Sequence, residues 1–242
     1  MNAARRLPNI RLVTFDLFDT LYTPAEPIGR TYARPLWRHG IDVQEEAVGT
    51  AFSRAFKQIH GEYPNYGHSS GMASKQWWAM VIEKTWSYAG INIKDHRDLP
   101  RERDAMIERF NTAEGYRMFP EVLKVLKYLR RKGIKLGVVS NMDEGGENVL
   151  KDMGIREYFD FVLKSITVGV EKPDPRIFRC ALDAVGIPAY DTLHVGDNVR
   201  LDYEAAKRVG MEALVVDRSG QGETGEHPER YISSLEGLFQ YI

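Results

Sequence analysis

The strongest constraint on the fold of this chain is an alternation of short apolar runs with amphipathic segments. The apolar runs are rich in β-branched residues, a composition that favours strands. They occupy residues 10–15, 136–139, 161–163, 192–195 and 213–216. Strands that alternate with helices form right-handed βαβ units around a parallel sheet. The sequence therefore predicts an α/β fold whose core is a Rossmann-like parallel sheet.

Helical periodicity fills the intervals between these runs. Pro120 opens a stretch in which Val122, Val125, Leu126 and Leu129 share one face, which is the spacing of an amphipathic helix. Further helices are predicted over 147–153, 174–185, 202–209 and 233–240.

Residues 23–115 interrupt the alternation. This segment is almost wholly helical in pattern and holds all four tryptophans. We predict a helical domain here, inserted into a core formed by residues 1–22 and 116–242. Three of the tryptophans have a near-helical spacing that favours packing inside the insert over stacking on a substrate: Trp77, Trp78 and Trp86. The YPNYG segment at 63–67 predicts a loop.

Charge and cysteine content narrow the class of partner and the compartment. The formal net charge is -1 and no polybasic stretch is present, so neither nucleic acid nor a membrane surface is an expected partner. A single cysteine, Cys180, excludes an intrachain disulfide and favours a reducing compartment. It lies in a predicted amphipathic helix, where we expect a buried thiol. No apolar run approaches the roughly 18 residues of a membrane span, and we expect a cytoplasmic protein.

Polar residues follow three of the predicted strands at the point where each strand ends. Asp16, Ser140 and Asp197 occupy these positions. Ligands of open parallel sheets bind outside the carboxyl ends of the strands. The sequence therefore predicts that two acids and a hydroxyl meet at one edge of the sheet.

Four segments around these residues form an ordered series. They read FDLFDTL at 15–21, VVSNM at 138–142, EKPDP at 171–175 and VGDNVRLD at 195–202. In this order they resemble the four motifs of the haloacid dehalogenase-like (HAD) hydrolase superfamily. Within it, PNYG, SKQWW, KPDPRIF and HVGDN look closest to the group of haloacid dehalogenase-like hydrolase domain-containing protein 3. The insert resembles the helical cap that this superfamily places after its first motif.

The resemblance implies a role for each motif residue. Asp16 corresponds to the nucleophile, and a carboxylate can divide a phosphoryl displacement into two easier steps through an aspartyl-phosphate. Lys172 is suited to neutralise Asp16 and the phosphoryl oxygens, while Ser140 and Asn141 are suited to bind phosphate. A magnesium ion is implied, because Mg²⁺ prefers hard oxygen ligands. Its expected protein ligands are Asp16, the backbone carbonyl of Phe18, Asp197 and Asp202.

Position 18 departs from the pattern of the superfamily's phosphatases. These usually carry an aspartate there, which protonates the leaving group and later activates water, and Phe18 can do neither. Loss of such general acid–base help typically costs about 10²–10⁴ in rate. An aromatic residue at this position resembles the 2-haloacid dehalogenases, whose leaving halide needs no proton, but Asp197 and Asp202 are typical of the phosphatases. Asp19 is expected to point away from Asp16.

Three functions remain open on these grounds, of which two are enzymatic. The first is a magnesium-dependent phosphohydrolase of weak or atypical activity, acting on a small phosphorylated metabolite. The second is a regulatory protein that binds phosphate and metal with little turnover. The third is a hydrolase that resembles the 2-haloacid dehalogenases. The sequence leaves the oligomeric state open.

Overall fold

A six-stranded parallel sheet forms the centre of the protein. The structure is a computed structural model that describes residues 9–220 and 228–242. The strands are β1 (Leu12–Phe15), β2 (Tyr22–Pro24), β3 (Tyr116–Met118), β4 (Lys135–Ser140), β5 (Phe161–Lys164), β6 (Thr192–Gly196), β7 (Glu212–Val216) and β8 (Tyr231–Ile232). The main sheet has the order β5-β4-β1-β6-β7-β8, and all of its neighbouring strands are parallel. The predicted α/β fold is confirmed.

Ten helices accompany the strands in the described ranges. They are α1 (Ile28–Arg38), α2 (Glu45–Glu62), α3 (Pro64–Gly67), α4 (Ser74–Tyr88), α5 (Leu99–Phe110), α6 (Val122–Arg131), α7 (Gly146–Asp152), α8 (Ser165–Val168), α9 (Pro175–Val185) and α10 (Ala205–Arg208). A π-helical turn, Val199–Glu204, leads directly into α10, and a 3-10 helix, Leu235–Gln240, lies close to the end of the chain. No helix in these ranges has both the length and the apolar character that crossing a bilayer requires.

The chain divides into two compact units. The sheet unit comprises Met1–Thr23, Met118–Met142 and Met153–Ile242, and the helical unit comprises Pro24–Arg117 and Asp143–Asp152. In the sheet unit, β1 lies between β4 and β6, and its side chains are wholly buried. Burial on both faces explains why the strand reads as a continuous apolar run rather than as an alternation.

The helical unit has an aromatic interior. Trp77 and Trp86 are fully buried, in agreement with the packing that their spacing predicts. Each indole N–H is satisfied by a backbone carbonyl, that of Tyr63 at 2.8 Å for Trp77 and that of Tyr32 at 2.9 Å for Trp86. Trp78 is half-buried and donates its indole N–H to Asp143 at 2.7 Å.

The YPNYG segment, predicted as a loop, forms a tight left-handed turn within the short element α3. Asn65, Tyr66 and Gly67 all have positive φ, at 49°, 57° and 76°. Such left-handed conformations are uncommon outside glycine, so periodicity does not anticipate them. Tyr66 packs edge-on against Trp77, with a ring-centroid distance of 5.1 Å.

Three local expectations differ from the structure. The thiol of Cys180 is exposed, not buried, because the buried face of α9 is formed by Ile177, Phe178 and Ala181. A helical residue turns about 100° from its neighbour, which leaves Cys180 roughly 100° from the centre of that face. The helix predicted from 202 starts earlier, at Val199, as a π-helical turn. The helix predicted over 233–240 is instead a shorter 3-10 helix preceded by β8.

Candidate functional site

The three predicted strand-end residues meet at one edge of the sheet. In the parallel register, Phe15 of β1 is paired with Val138 of β4 and with Val195 of β6. Asp16 continues this ladder, because its backbone N–H donates to the carbonyl of Val195 at 2.9 Å. Ser140 is the last residue of β4, and its hydroxyl acts to lower the pKa of the Asp16 carboxylate. The sheet therefore sets the position of Asp16 through backbone contacts.

Lys172 joins two carboxylates in the interior of this edge. Its Nζ donates to Oδ1 of Asp16 at 2.5 Å and to Oδ1 of Asp202 at 2.6 Å. Lys172 is 3% exposed, Asp16 6% and Asp202 1%. Charges that are this well buried need direct partners, because the interior solvates them poorly. The lysine thus holds the two acids together.

Asn141 positions the backbone of Lys172. Its side-chain Nδ2 donates to the Lys172 carbonyl at 2.9 Å, and its Oδ1 accepts from the Lys172 N–H at 2.6 Å. Both polar groups of the amide are therefore engaged with the segment that carries the lysine. The phosphate-binding role predicted for Asn141 falls to its backbone N–H, and it stays a prediction.

The side chain of Asp202 lies directly against Gly196 at the end of β6. A Cβ atom at Gly196 would lie 2.2 Å from Cγ of Asp202, which is possible for no other residue type without a shift. The backbone N–H of Asn198 donates to Oδ2 of Asp202 at 3.0 Å, and the Asn198 side chain accepts from the N–H groups of Arg200 and Leu201. The glycine and the asparagine of the fourth motif therefore fix the orientation of its second acid.

A buried histidine, His194, contacts the carboxylate of Asp202. Nε2 of His194 lies 3.2 Å from Oδ1 of Asp202, and Nδ1 lies 2.8 Å from Oγ1 of Thr14. A carboxylate only accepts hydrogen bonds, so Nε2 carries the proton and Nδ1 of a neutral ring accepts from the threonine. Burial, the largest influence, lowers the pKa of His194 and favours this neutral form.

Sequence reasoning did not assign His194 or Thr14 a role. Both residues are 0% exposed, and they are partners in the parallel register of β1 and β6. The available signal was a polar residue at matching positions of two otherwise apolar runs. A strand that is buried on both faces has to satisfy such groups internally.

The environment of the site shifts the pKa values of its acids in opposite directions. Burial raises the pKa of Asp16, although the contacts with Lys172 and the Ser140 hydroxyl act in the opposite direction. Burial would also disfavour ionised Asp202, but Lys172 and His194 outweigh it and hold the pKa of Asp202 well below its usual range. Lys172 keeps its proton, because the two carboxylates raise its pKa despite burial.

Asp197 completes a cluster of three carboxylates. One carboxylate oxygen from each of Asp16, Asp197 and Asp202 lies within 4.8 Å of the others. The protein atoms crowded around Asp197, and then the negative charges of Asp16 and Asp202, raise the pKa of Asp197 to about 7. Its residue is nevertheless exposed, so a hydrated cation can reach it from solvent. An all-oxygen donor set with excess negative charge and access for water suits Mg²⁺.

Phe18 lies in the turn after Asp16 with 44% of its surface exposed. Its backbone forms an isolated bridge with Tyr22. The next residue, Asp19, has a positive φ of 55°, and its Oδ1 accepts from the Thr23 hydroxyl at 2.6 Å. Asp19 therefore has a structural partner within the turn. The metal-binding role of the Phe18 carbonyl remains a prediction.

Arg218 stabilises this turn and was not singled out in the sequence. Its guanidinium donates to the carbonyls of Asp19 and Thr20, at 3.2 and 2.7 Å, and to Glu121 at 2.7 Å. It also stacks over the Phe119 ring, 3.4 Å from the ring centroid. A planar fork of donors is the property that distinguishes arginine from lysine in such contacts.

Comparison with known proteins identifies the family of this chain. The sequence model of the haloacid dehalogenase-like hydrolases matches residues 10–210. The mouse protein named haloacid dehalogenase-like hydrolase domain-containing protein 3 is 39% identical over 213 residues, which cover 88% of this chain and 84% of the mouse protein.

Solved structures with the same fold carry two different activities in their names. A 2-haloacid dehalogenase from Pseudomonas syringae is 27% identical, with a TM-score of 0.65, over 96% of this chain and 97% of that one. A HAD phosphatase from Thermococcus onnurineus also has a TM-score of 0.65, over 94% and 95% of the two chains, and at 24% identity it shows the fold alone. The match of the family model along most of the sequence, together with the mouse relative, places this chain in the haloacid dehalogenase-like hydrolase superfamily.

Proposed function

We propose that this protein is a magnesium-dependent phosphohydrolase of atypical activity that works through an aspartyl-phosphate on Asp16. The observation that carries the proposal is the arrangement around Asp16. One of its oxygens is bonded to Lys172, and the carboxylate also belongs to the cluster with Asp197 and Asp202. A nucleophilic carboxylate with a buried cation on one side and a candidate metal site on the other is suited to an anionic substrate.

The chain's own residues support two displacement steps. An oxygen of Asp16 attacks phosphorus, and the bond between phosphorus and the leaving oxygen breaks. Lys172 and the Ser140 hydroxyl offer positive charge and a hydrogen bond where the phosphoryl oxygens gather negative charge. Water then attacks the aspartyl-phosphate, which releases phosphate and restores the Asp16 carboxylate. Mg²⁺ held by the clustered acids would supply further positive charge at the phosphoryl oxygens and orient them.

Phe18 makes this activity atypical. Both steps of an ordinary phosphatase benefit from an acid that protonates the leaving oxygen and then takes a proton from water. A phenyl ring can neither donate nor accept a proton, so we expect slow turnover and a long-lived phosphoenzyme. We further propose that the helical unit acts as a cap, that the substrate is a small phosphorylated metabolite, and that the protein is cytoplasmic.

The decisive test is hydrolysis of an aryl phosphate in the presence and absence of Mg²⁺. The wild type should release phosphate only with the metal, and Asp16→Asn should lose the activity. Asp183→Asn, the same change at an exposed acid of α9, is the matched control and should retain it. Equal rates for wild type and Asp16→Asn would reject catalysis through Asp16.

Phe18 also leaves two alternative functions to test. Exposed Phe18 and the similarity to the Pseudomonas syringae dehalogenase favour a 2-haloacid hydrolase, which would release halide from 2-chloropropionate without metal. A phosphate- and metal-binding regulator is the other alternative. In that case beryllium fluoride with Mg²⁺ would raise the melting temperature, but no phosphate would be released from any phosphoester.

A further inference from the structure

We propose that the substrates of this protein are acyl phosphates, the mixed anhydrides of phosphoric acid and a carboxylic acid, and that Phe18 and Val199 receive an apolar acyl group. This inference rests on the proposed function, because it specifies the leaving group of the step at Asp16. It follows from two observations on the sheet unit: Lys172, His194 and Asp19 are engaged in structural contacts, and two exposed apolar residues follow the acids of the cluster in sequence.

The first observation concerns proton donors. Among the described residues of the sheet unit, the groups around Asp16 hold their protons in structural contacts. Lys172 is shared between two carboxylates, and the Nε2 proton of His194 is directed at Asp202. Asp202 accepts hydrogen bonds from three donors, namely Lys172, His194 and the backbone N–H of Asn198. Asp19 accepts from Thr23 within its own turn. The contacts of these groups leave none of them directed at a leaving oxygen, and Asp197 would be bound to the metal in the proposed function.

The second observation concerns the surface of the same edge. Phe18 and Val199 are 44% and 38% exposed, although both are large and apolar. Each stands two residues beyond an acid of the cluster, Phe18 after Asp16 and Val199 after Asp197. Their strands, β1 and β6, are neighbours in register. Exposed apolar side chains beside a polar site are typical of a ligand-binding surface.

The chemistry of the leaving group connects these observations. A carboxylic acid has a pKa of about 4, so a carboxylate departs without a proton. An alcohol has a pKa near that of water, about 16, and an alkoxide cannot leave readily unless it is protonated. A site without an available acid therefore discriminates strongly in favour of acyl phosphates.

The proposed step balances without a proton donor. An oxygen of Asp16 forms a bond to phosphorus as the bond from phosphorus to the acyl oxygen breaks, and the electron pair leaves with the carboxylate. One acyl phosphate is thereby converted to another, the aspartyl-phosphate, so the reaction is close to thermoneutral. In the second step a water oxygen bonds to phosphorus, Asp16 recovers its carboxylate, and the proton from water is released to solvent.

Three compounds with the same ring separate the leaving groups. Benzoyl phosphate releases a carboxylate, phenyl phosphate a phenolate and benzyl phosphate an alkoxide. Rapid-quench experiments with Mg²⁺ would follow the phosphoenzyme by the mass of one added phosphoryl group. We expect a burst for benzoyl phosphate, a slower one for phenyl phosphate, and a rate for benzyl phosphate at least about 10³-fold below the first, within the range of lost acid catalysis.

Variants at position 18 test the cause. Phe18→Asp should accelerate phosphoenzyme formation from benzyl phosphate by about 10²–10⁴ and should give benzoyl phosphate no such gain. Phe18→Leu, which is apolar but carries no acid, should not accelerate benzyl phosphate. Phe18→Ala should raise KM for benzoyl phosphate more than for acetyl phosphate, since only the former has a large apolar group.

Two results would overturn the inference without touching the proposed function. In the first, the wild type forms the phosphoenzyme from benzyl and benzoyl phosphate at similar rates. A proton donor other than residue 18 then serves the leaving oxygen, and the discrimination by leaving group is refuted. In the second, Phe18→Asp gives benzyl phosphate no gain. Failure of every compound to phosphorylate Asp16 would instead reject the proposed function itself.

Discussion

At the scale of single residues, Lys172 is the cation that compensates the buried carboxylates of the site. It contacts two carboxylates in an interior that water barely reaches. Neither acid has a comparable cationic partner among the described residues, since His194 is held neutral. Removal of one member of a buried ion pair leaves the other without compensation.

Lys172→Met should therefore lower the free energy of unfolding by about 3–5 kcal/mol, as measured by urea denaturation. The loss should be larger at pH 8 than at pH 5. Without the lysine the pKa of Asp16, already raised by burial, rises further, and that of Asp202 rises as well. Stability is then higher at low pH and is lost as the acids ionise. Lys207→Met, which breaks an exposed pair with Glu212, should cost less than about 1 kcal/mol. Equal losses for the two variants would contradict the importance of the buried triad.

At the scale of elements, the junction between β6 and the π-helical turn determines where the acids of the fourth motif point. Gly196 ends the strand, and Asp202 lies in the turn Val199–Glu204 directly against it. A π-helical turn inserts one more residue per turn than an α-helix and frequently accompanies functional sites. Here it brings Asp202 back to the strand end.

Gly196→Ala tests this junction. A Cβ atom would meet the Asp202 carboxylate at 2.2 Å and displace it, so Mg²⁺ should no longer raise the melting temperature. Gly61→Ala is the matched control, because it lies in α2 with open space around it. It should keep the magnesium effect and add about 0.5–1 kcal/mol of stability through better helix propensity. A magnesium shift that survives Gly196→Ala would argue against a role of Asp202 near the metal.

The sequence predicted those elements that have a clear periodic signal. The strands β1, β4, β6 and β7 are apolar runs between helices, and their ends place Asp16, Ser140 and Asp197 together. It did not predict β8, because two residues are too few to show a period. The partnership of Thr14 with His194 depends on strand register, and the contacts of Arg218 with the turn after β1 join residues about 200 positions apart. Such long-range contacts leave no mark on local patterns.

At the scale of the whole molecule, all the predicted site residues lie in one of the two units. Each predicted catalytic, phosphate-binding or metal-binding residue lies in the sheet unit, although its segments are separated by the long helical insertion. With a formal net charge of -1, the protein lacks a strong overall field. In the proposed function, local charge around Asp16 would attract the metal and the anionic substrate.

Metal binding should consequently couple to pH through Asp197. Its pKa is raised to about 7, above the value of about 3.9 for an unfolded aspartate. Without metal, the fold should therefore lose stability as the pH rises from about 4 to 7, because the folded state binds more protons. Mg²⁺ displaces this proton. Below pH 7 the dissociation constant of Mg²⁺ should therefore fall by up to about tenfold for each unit by which the pH rises. Calorimetric titration would measure this, and Asp197→Asn should weaken both effects, leaving the smaller part that comes from the raised pKa of Asp16. A magnesium affinity independent of pH would refute the coupling.

Asp16 is proposed to accept a phosphoryl group beside a metal held by its neighbouring acids. A crystal structure of the protein with Mg²⁺ and beryllium fluoride, a phosphoryl mimic, would test this most directly. We expect beryllium bonded to an oxygen of Asp16, Lys172 in contact with a fluoride, and the ion coordinated by Asp16 and Asp197. Beryllium fluoride bound elsewhere, or an ion with no contact to Asp16 or Asp197, would contradict it.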